Sequence, residues 1–138
     1  MIVENLFIRD KIISEQDIIY FPQGIIGFEN YTQFIVVDNP NFKPFCWLIS
    51  LEQKDFAVPI VNPFLLMKEY RMQFPLELTQ ELEENNNCCE VFCTVSPKGE
   101  QGGVTLNLKG PILIDYLRRE GKQVILNSDI LSVSYPLN

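Results

Sequence analysis

The residues best equipped for chemistry are four cysteines, Cys46, Cys88, Cys89 and Cys93, three of them gathered in the run CCEVFC. A thiolate is a nucleophile and a soft metal ligand, so the first question is whether this cluster holds zinc or exchanges electrons. Neither role fits. The chain has no histidine and no second cysteine pair at zinc-site spacing, and Cys46 stands alone in an apolar run. Adjacent Cys88 and Cys89 give no framework of spaced disulfide partners. On a strand, Cys89, Val91 and Cys93 share one face, where a free thiol packs as a small hydrophobe.

The missing histidine also removes Ser/His/Asp and Cys/His catalysis, and with them the commonest general base near neutral pH. Acidic side chains number 18, yet none stands in a recognisable catalytic setting. The segment GIIGF at 24–28 has too few glycines and no lysine for a phosphate loop, and it does not open a helix. The residues therefore predict no cofactor, no metal and no enzymatic activity, and leave binding as the function to explain.

Charge narrows the partners. The net charge is −7, and no Lys or Arg falls between Arg71 and Lys98, where Glu77, Glu81, Glu83, Glu84 and Glu90 lie. Nucleic acid is bound by a basic face that displaces counterions from phosphate, so direct RNA or DNA binding is not expected. The acidic run is either a solvated helix face or a surface that meets a basic protein.

These side chains must be positioned by a fold, and one stretch organises it: 20–34, YFPQGIIGFENYTQF. It turns on Pro22, Gly24 and Gly27 between Phe21 and Phe28, so residues that permit unusual backbone angles sit among residues that seek burial. This is a structured corner. At 138 residues, 46% of them hydrophobic and spread along the whole chain, the sequence predicts one domain over 1–138 with a real core. No apolar run approaches the roughly 20 residues that cross a bilayer. The N-terminus carries no basic region ahead of a long apolar one, so a cytoplasmic protein with no membrane contact is expected.

Strands are expected at 2–8 and 12–13 as a hairpin, then at 18–21, 34–37, 44–51, 56–61, 88–95, 103–108, 112–116 and 123–126. The segment 44–51 reads as buried on both faces, and Pro59 marks its strand as an edge or a bulge there. Residues 70–74 look extended, and Gly121 looks like a turn. One helix is expected over Leu76–Glu84, opened by Pro75, with Leu78 and Leu82 on one face and Asn85, Asn86 and Asn87 as its stop. The sum is a mostly β fold: a small antiparallel β-barrel-like single domain with one short helix.

In this order the motifs carry a resemblance. Residues 18–29, IIYFPQGIIGFE, resemble the FPxGIPGFE corner of the bacterial flagellar assembly factors, the FliW family. PFCWLISL at 44–51, FAVPIVNPF at 56–64, VTLNLKGPILID at 104–115 and GKQVIL at 121–126 follow in matching order. Two positions depart from the pattern: Ile26 replaces the proline of GIPGF, and Gly110 stands where NLKAPI has alanine. The resemblance implies a barrel-like monomer that binds newly made flagellin in the cytoplasm. It also implies binding to the carbon storage regulator CsrA, an RNA-binding repressor of flagellin translation, which it keeps from acting. Under that implication Glu81, Glu83 and Glu84 face the basic repressor. Flagellin's amphipathic terminal helices would seek an apolar groove, for which Phe45, Trp47, Phe64 and Ile25 are the candidates, with Phe21 and Phe28 beside them. Each of these aromatics is more often a core residue in a β protein, and an exposed role for Gln23 and Ile25 is the weaker reading of the corner. The alternative is an acidic β-domain that serves as an interaction module in some other complex, without catalysis.

Overall fold

The structure, a computed structural model, describes residues 13–38, 40–84, 89–97, 102–128 and 131–137. The strands are β1 (Ile19–Tyr20), β2 (Gln33–Asp38), β3 (Phe45–Ser50), β4 (Ala57–Val61), β5 (Cys89–Pro97), β6 (Val104–Leu106), β7 (Ile112–Asp115), β8 (Glu120–Gln123) and β9 (Tyr135–Leu137), with helix α1 at Leu76–Glu84. They form one sheet in the order β4-β3-β2-β1-β8-β7-β5-β6-β9, and an extra β4–β5 pairing closes the first seven strands of that order into a ring. β6 and β9 extend outward from β5. The expected barrel-like β fold with one helix is thus found. One pairing departs from the antiparallel rule: β1 and β8 run parallel, joined at Tyr20↔Glu120 alone.

Strand alternation divides the apolar residues into three cores. Ile19, Phe21, Phe34, Leu48, Ile60, Phe92, Ile112 and Ile114, from six strands of the ring, converge in one cluster inside it. Ile35 and Ile49 point the other way, and with Ile13 and Ile18 form an outer core on which Trp47 packs. A second outer core gathers Val61, Val91, Cys93, Leu106 and Leu113 under Tyr70, Phe74 and Leu78. β3 therefore feeds cores on both faces, as its run of apolar residues predicts. Val91 and Cys93 are buried together, with Cys89 packed against the same core.

Helix α1 has the expected bounds. Leu78 is buried and Leu82 packs on the same outer core, one turn apart on one face. The Pro75 carbonyl accepts the Thr79 N–H at 3.0 Å, which starts the helix where proline's fixed φ favours it. At Pro59 the edge reading fits: the β4–β5 ladder contains only Ile60↔Thr94 and Val61↔Cys93, so the missing N–H lies beyond its end.

Four expectations need correction. The strand expected at 123–126 lies earlier, at Glu120–Gln123, and 124–126 are outside any strand. Residues 70–74 are not extended: a 3-10 helix spans Lys68–Gln73. It swings Tyr70 and Phe74 onto the outer core, where their rings stand 5.1 Å apart and the Tyr70 hydroxyl donates to the Leu108 carbonyl. The strand expected at 103–108 is shorter, Val104–Leu106, although Leu108 still reaches the same core. Gly121 is not a turn. The turn lies at 116–119, held by Asp115 Oδ1, which accepts the N–H groups of Leu117 and Arg118 at 3.0 Å each, and Gly121 sits inside β8. The hairpin expected at 2–13, the asparagine stop and Cys88 lie outside the described residues, apart from buried Ile13.

Gly121 is in a strand because Phe21 needs the space. A Cβ at 121 would stand 2.3 Å from Phe21 Cζ and 2.5 Å from Cε1, closer than any real contact. Phe21 is fully buried, and its ring meets the edge of Phe34 at 5.1 Å. Gly121→Ala should therefore destabilise the fold by about 1–3 kcal/mol. Combining it with Phe21→Leu should return part of that loss. Urea unfolding of wild type, both single variants and the double variant reads the coupling, and strict additivity would show that the two residues are not in contact.

Candidate functional site

The corner is built from backbone bonds that its glycines permit. After β1, the Gly24 N–H donates to the Phe21 carbonyl at 2.9 Å with Gly24 at φ +68°. A Cβ there would meet Glu29 Cα at 2.6 Å and the Phe28 carbonyl oxygen at 2.7 Å, because the chain crosses close to itself. Next, Phe28 N–H donates to the Ile25 carbonyl at 2.7 Å and Gly27 has φ +89°, the signature of a type II turn with Ile26 and Gly27 at its centre. Glu29 Oε1 accepts the Gly27 N–H at 3.0 Å, and that bond holds the Glu29 carboxyl below the usual carboxylate range. The return into β2 is fixed by Glu52, whose Oε1 accepts from Thr32 and Gln33 at 2.6 and 2.8 Å.

This turn decides which isoleucine faces outward. Ile25 is buried with Phe21 and Phe34, which corrects the expectation that it is exposed. Ile26, at the turn's apex, is 56% exposed, and Gln23 is exposed as expected. Phe28 is also half out, stacked at 6.2 Å on Tyr31 and edge-on to Phe56 at 4.8 Å.

The two departures from the corner pattern meet at one side chain. Ile26 keeps the N–H that proline would lack, and donates it to Gln123 Oε1 at 2.9 Å. Gln123 Nε2 donates in turn to the Gly110 carbonyl at 2.8 Å. A Cβ on residue 110 would come within 2.9 Å of that same Nε2.

Two clefts open on either side of this junction. The first, of about 570 Å³, runs between the corner, the β7–β8 hairpin and α1. Its lining carries four carboxylates, Glu29, Glu81, Asp115 and Glu120, against Arg118 and Lys122. Lys122 Nζ lies 2.6 Å from Glu81 Oε1, and Arg118 Nε lies 4.0 Å from Asp115 Oδ2. The cleft's cations are thus engaged by its own carboxylates, and an acidic excess remains. The second, of about 430 Å³, is mixed: Ile25, Ile26, Phe28, Phe56 and Val58 give it apolar surface, Thr94, Ser96, Asn107 and Gln123 add polar groups, and Asp55 is the one charged residue in its described lining. Ile26 and Gln123 line both clefts.

The residues named from sequence are distributed differently from expectation. Glu81 reaches the acidic cleft, Glu83 pairs with Arg71 at 3.6 Å outside it, and Glu84 is exposed at the end of α1. Phe45 and Phe64 pack against the outer core beneath α1, whereas Trp47 packs on the other outer core. They do not line one groove with Ile25. Sequence reasoning missed Ile26, Gln123, Glu29 and Asp115. Only Glu29 and Ile26, within the corner motif, carried any local signal.

Two of the thiols sit where the thiolate is disfavoured. Burial pushes Cys93 up to about 12, with its Sγ 3.8 Å from the Tyr70 oxygen. Burial and the Asp38 carboxylate, 3.2 Å from its Sγ, do the same to Cys46, also to about 12. Burial also raises Tyr70, and Tyr116 is raised by burial and by Glu90, to which its hydroxyl donates at 3.2 Å. Among the described residues no three Cys, Asp or Glu side chains converge as metal ligands, and no helix is long and apolar enough to cross a membrane.

The family model described as FliW protein matches residues 7–137. The flagellar assembly factor FliW of Caldicellulosiruptor saccharolyticus is 34% identical over 143 residues, which span 99% of this chain and 93% of that protein. The flagellar assembly factor FliW of Clostridium botulinum (strain Okra) is 35% identical over 125 residues, or 90% and 87% of the two chains. A crystal structure of the flagellar assembly factor FliW superposes with a TM-score of 0.80 at 25% identity, covering 99% of this chain and 94% of that one.

The corner's two glycines should respond differently to substitution. At Gly27 nothing lies within 4 Å of an added Cβ, so Gly27→Ala meets only the left-handed backbone penalty of about 1–2 kcal/mol. Gly24→Ala adds a clash with backbone atoms and should lower stability at least twice as far. Equal losses in denaturant unfolding would contradict this reading of the corner.

Proposed function

The chain belongs to the FliW family of flagellar assembly factors, and from that membership we propose that it is a cytoplasmic flagellin-binding protein that also binds and antagonises CsrA, the translational repressor of flagellin. The observation that carries this reading is the extent of the match, residues 7–137, which takes in every described strand of the ring and the corner.

The two clefts suit two partners of different chemistry. A repressor that binds RNA presents a basic surface, and the acidic cleft with Glu81 on its rim meets it with opposite charge. Glu83 and Glu84 extend that field along α1. An amphipathic helix of flagellin buries its apolar face, and the second cleft offers Phe28, Phe56 and Val58 for it, with the exposed Ile26 taking the role first given to Ile25. Phe45, Trp47 and Phe64 add half-buried apolar surface on other faces. No bond is made or broken in this scheme. Each partner acts by occupying the protein and so changing how much of it is free for the other.

Replacing Glu81, Glu83 and Glu84 together by Lys should weaken repressor binding about tenfold at low salt, with the difference shrinking as salt rises. The fold should survive, since exposed ion pairs such as Arg71–Glu83 contribute at most about 1 kcal/mol. Titration of purified repressor at two ionic strengths checks this, and unchanged affinity at low salt removes the acidic face from the account. Capture with the tagged wild-type protein at native expression tests the whole reading: recovery of flagellin and repressor is expected, and recovery of neither would leave only the interaction-module alternative.

A further inference from the structure

We propose that Gln123 is the positioning residue of the corner, fixing the Ile26 apex as the wall shared by both clefts. The proposal starts from turn chemistry. The first central position of a type II turn favours proline, whose ring presets φ. Here that position is Ile26, with φ free to vary in the isolated segment and with an N–H that needs a partner. The partner comes from 97 residues away: Gln123 Oε1 accepts at 2.9 Å.

Gln123 is itself tied down. Its Nε2 donates to the Gly110 carbonyl at 2.8 Å, so both ends of the amide are engaged and neither can turn away without losing a bond. The loop that carries Gly110 is held by Asn107, whose Oδ1 accepts the N–H groups of Lys109 and Gly110 at 3.0 and 3.1 Å. The Nε2 atom occupies space that a side chain at 110 would take, 2.9 Å from an added Cβ. Corner, β8 and the 107–110 loop are thus joined through one side chain, and Ile26 with Gln123 is what the two clefts have in common. A side chain with this placement sets the width of both clefts at once. Its consequence for partners rests on the function proposed above, whereas the latch itself does not.

Gln123→Met keeps the side chain's length and removes both hydrogen bonds. In that variant, amide exchange followed by NMR should speed up about tenfold at Ile26 and at Phe28, whose N–H closes the turn, and stay unchanged at Ile35 in the outer core. Adding Ile26→Pro should return Phe28 protection to the wild-type level, because the proline ring then presets φ without Gln123. Flagellin affinity should follow the same sequence, falling several-fold in Gln123→Met and recovering in the double variant. Unchanged Ile26 exchange in Gln123→Met, or a double variant no better protected at Phe28 than the single one, overturns the latch. If the wild-type protein captures no flagellin, the functional reading fails while the exchange data still decide the latch.

Discussion

The ring of Phe21 lies on the bare backbone of Gly121, and the closure of the sheet depends on this contact. β1 is two residues long, and its union with β8 is a single parallel register pair supported by the Tyr20 N–H donating to the Arg119 carbonyl at 2.9 Å. So few backbone bonds would make a weak seam. Burying a phenylalanine side chain contributes about 1.5–3 kcal/mol, and here that burial is spent directly across the seam, inside the ring, with Phe34 completing the contact. The corner leaves β1 at Phe21, so whatever fixes the seam also fixes the corner's root.

From that root the corner is shaped by local bonds and then aimed by distant ones. Gly24 lets the chain fold back on Glu29, the type II turn points Ile25 in and Ile26 out, and Gln123 holds the apex over β8. The clefts on its two sides inherit different linings from the elements that face it. The β7–β8 hairpin and α1 supply charge, while Phe56 and Val58 supply apolar surface. The acidic cleft is partly neutralised by its own Lys122 and Arg118, so a basic partner would have to compete with the Glu81–Lys122 pair, in which both side chains are only partly exposed. Electrostatic attraction of this kind governs encounter and partner choice more than final affinity.

Much of this was legible in the sequence, and the illegible parts have a common cause. α1 could be bounded because proline, leucine spacing and helix length are local signals, and the shared face of Cys89, Val91 and Cys93 follows from strand alternation alone. The corner announced itself through Gly24, Gly27 and Phe21. Gly121 was misread because a glycine needed for a close approach looks the same as one needed for a turn, and only the position of Phe21, a hundred residues earlier, separates them. Ile25 and Ile26 exchanged roles because burial there is set by turn type. The four-residue spacing of Tyr70 and Phe74 fits one face of an extended strand, and Phe74 reaches the core from the extended residue that ends the 3-10 helix, so their spacing did not reveal it. Gln123 carries no local mark: its function lies wholly in bonds to residues 26 and 110.

The central claim is a binding protein whose two partner surfaces share one wall, so that occupation of one disfavours the other. Titrating repressor into protein already held at flagellin tenfold above its dissociation constant tests it most directly. Mutual exclusion predicts an apparent repressor affinity about elevenfold weaker, equivalent to about 1.4 kcal/mol. A ternary complex formed with undiminished affinity would contradict the claim.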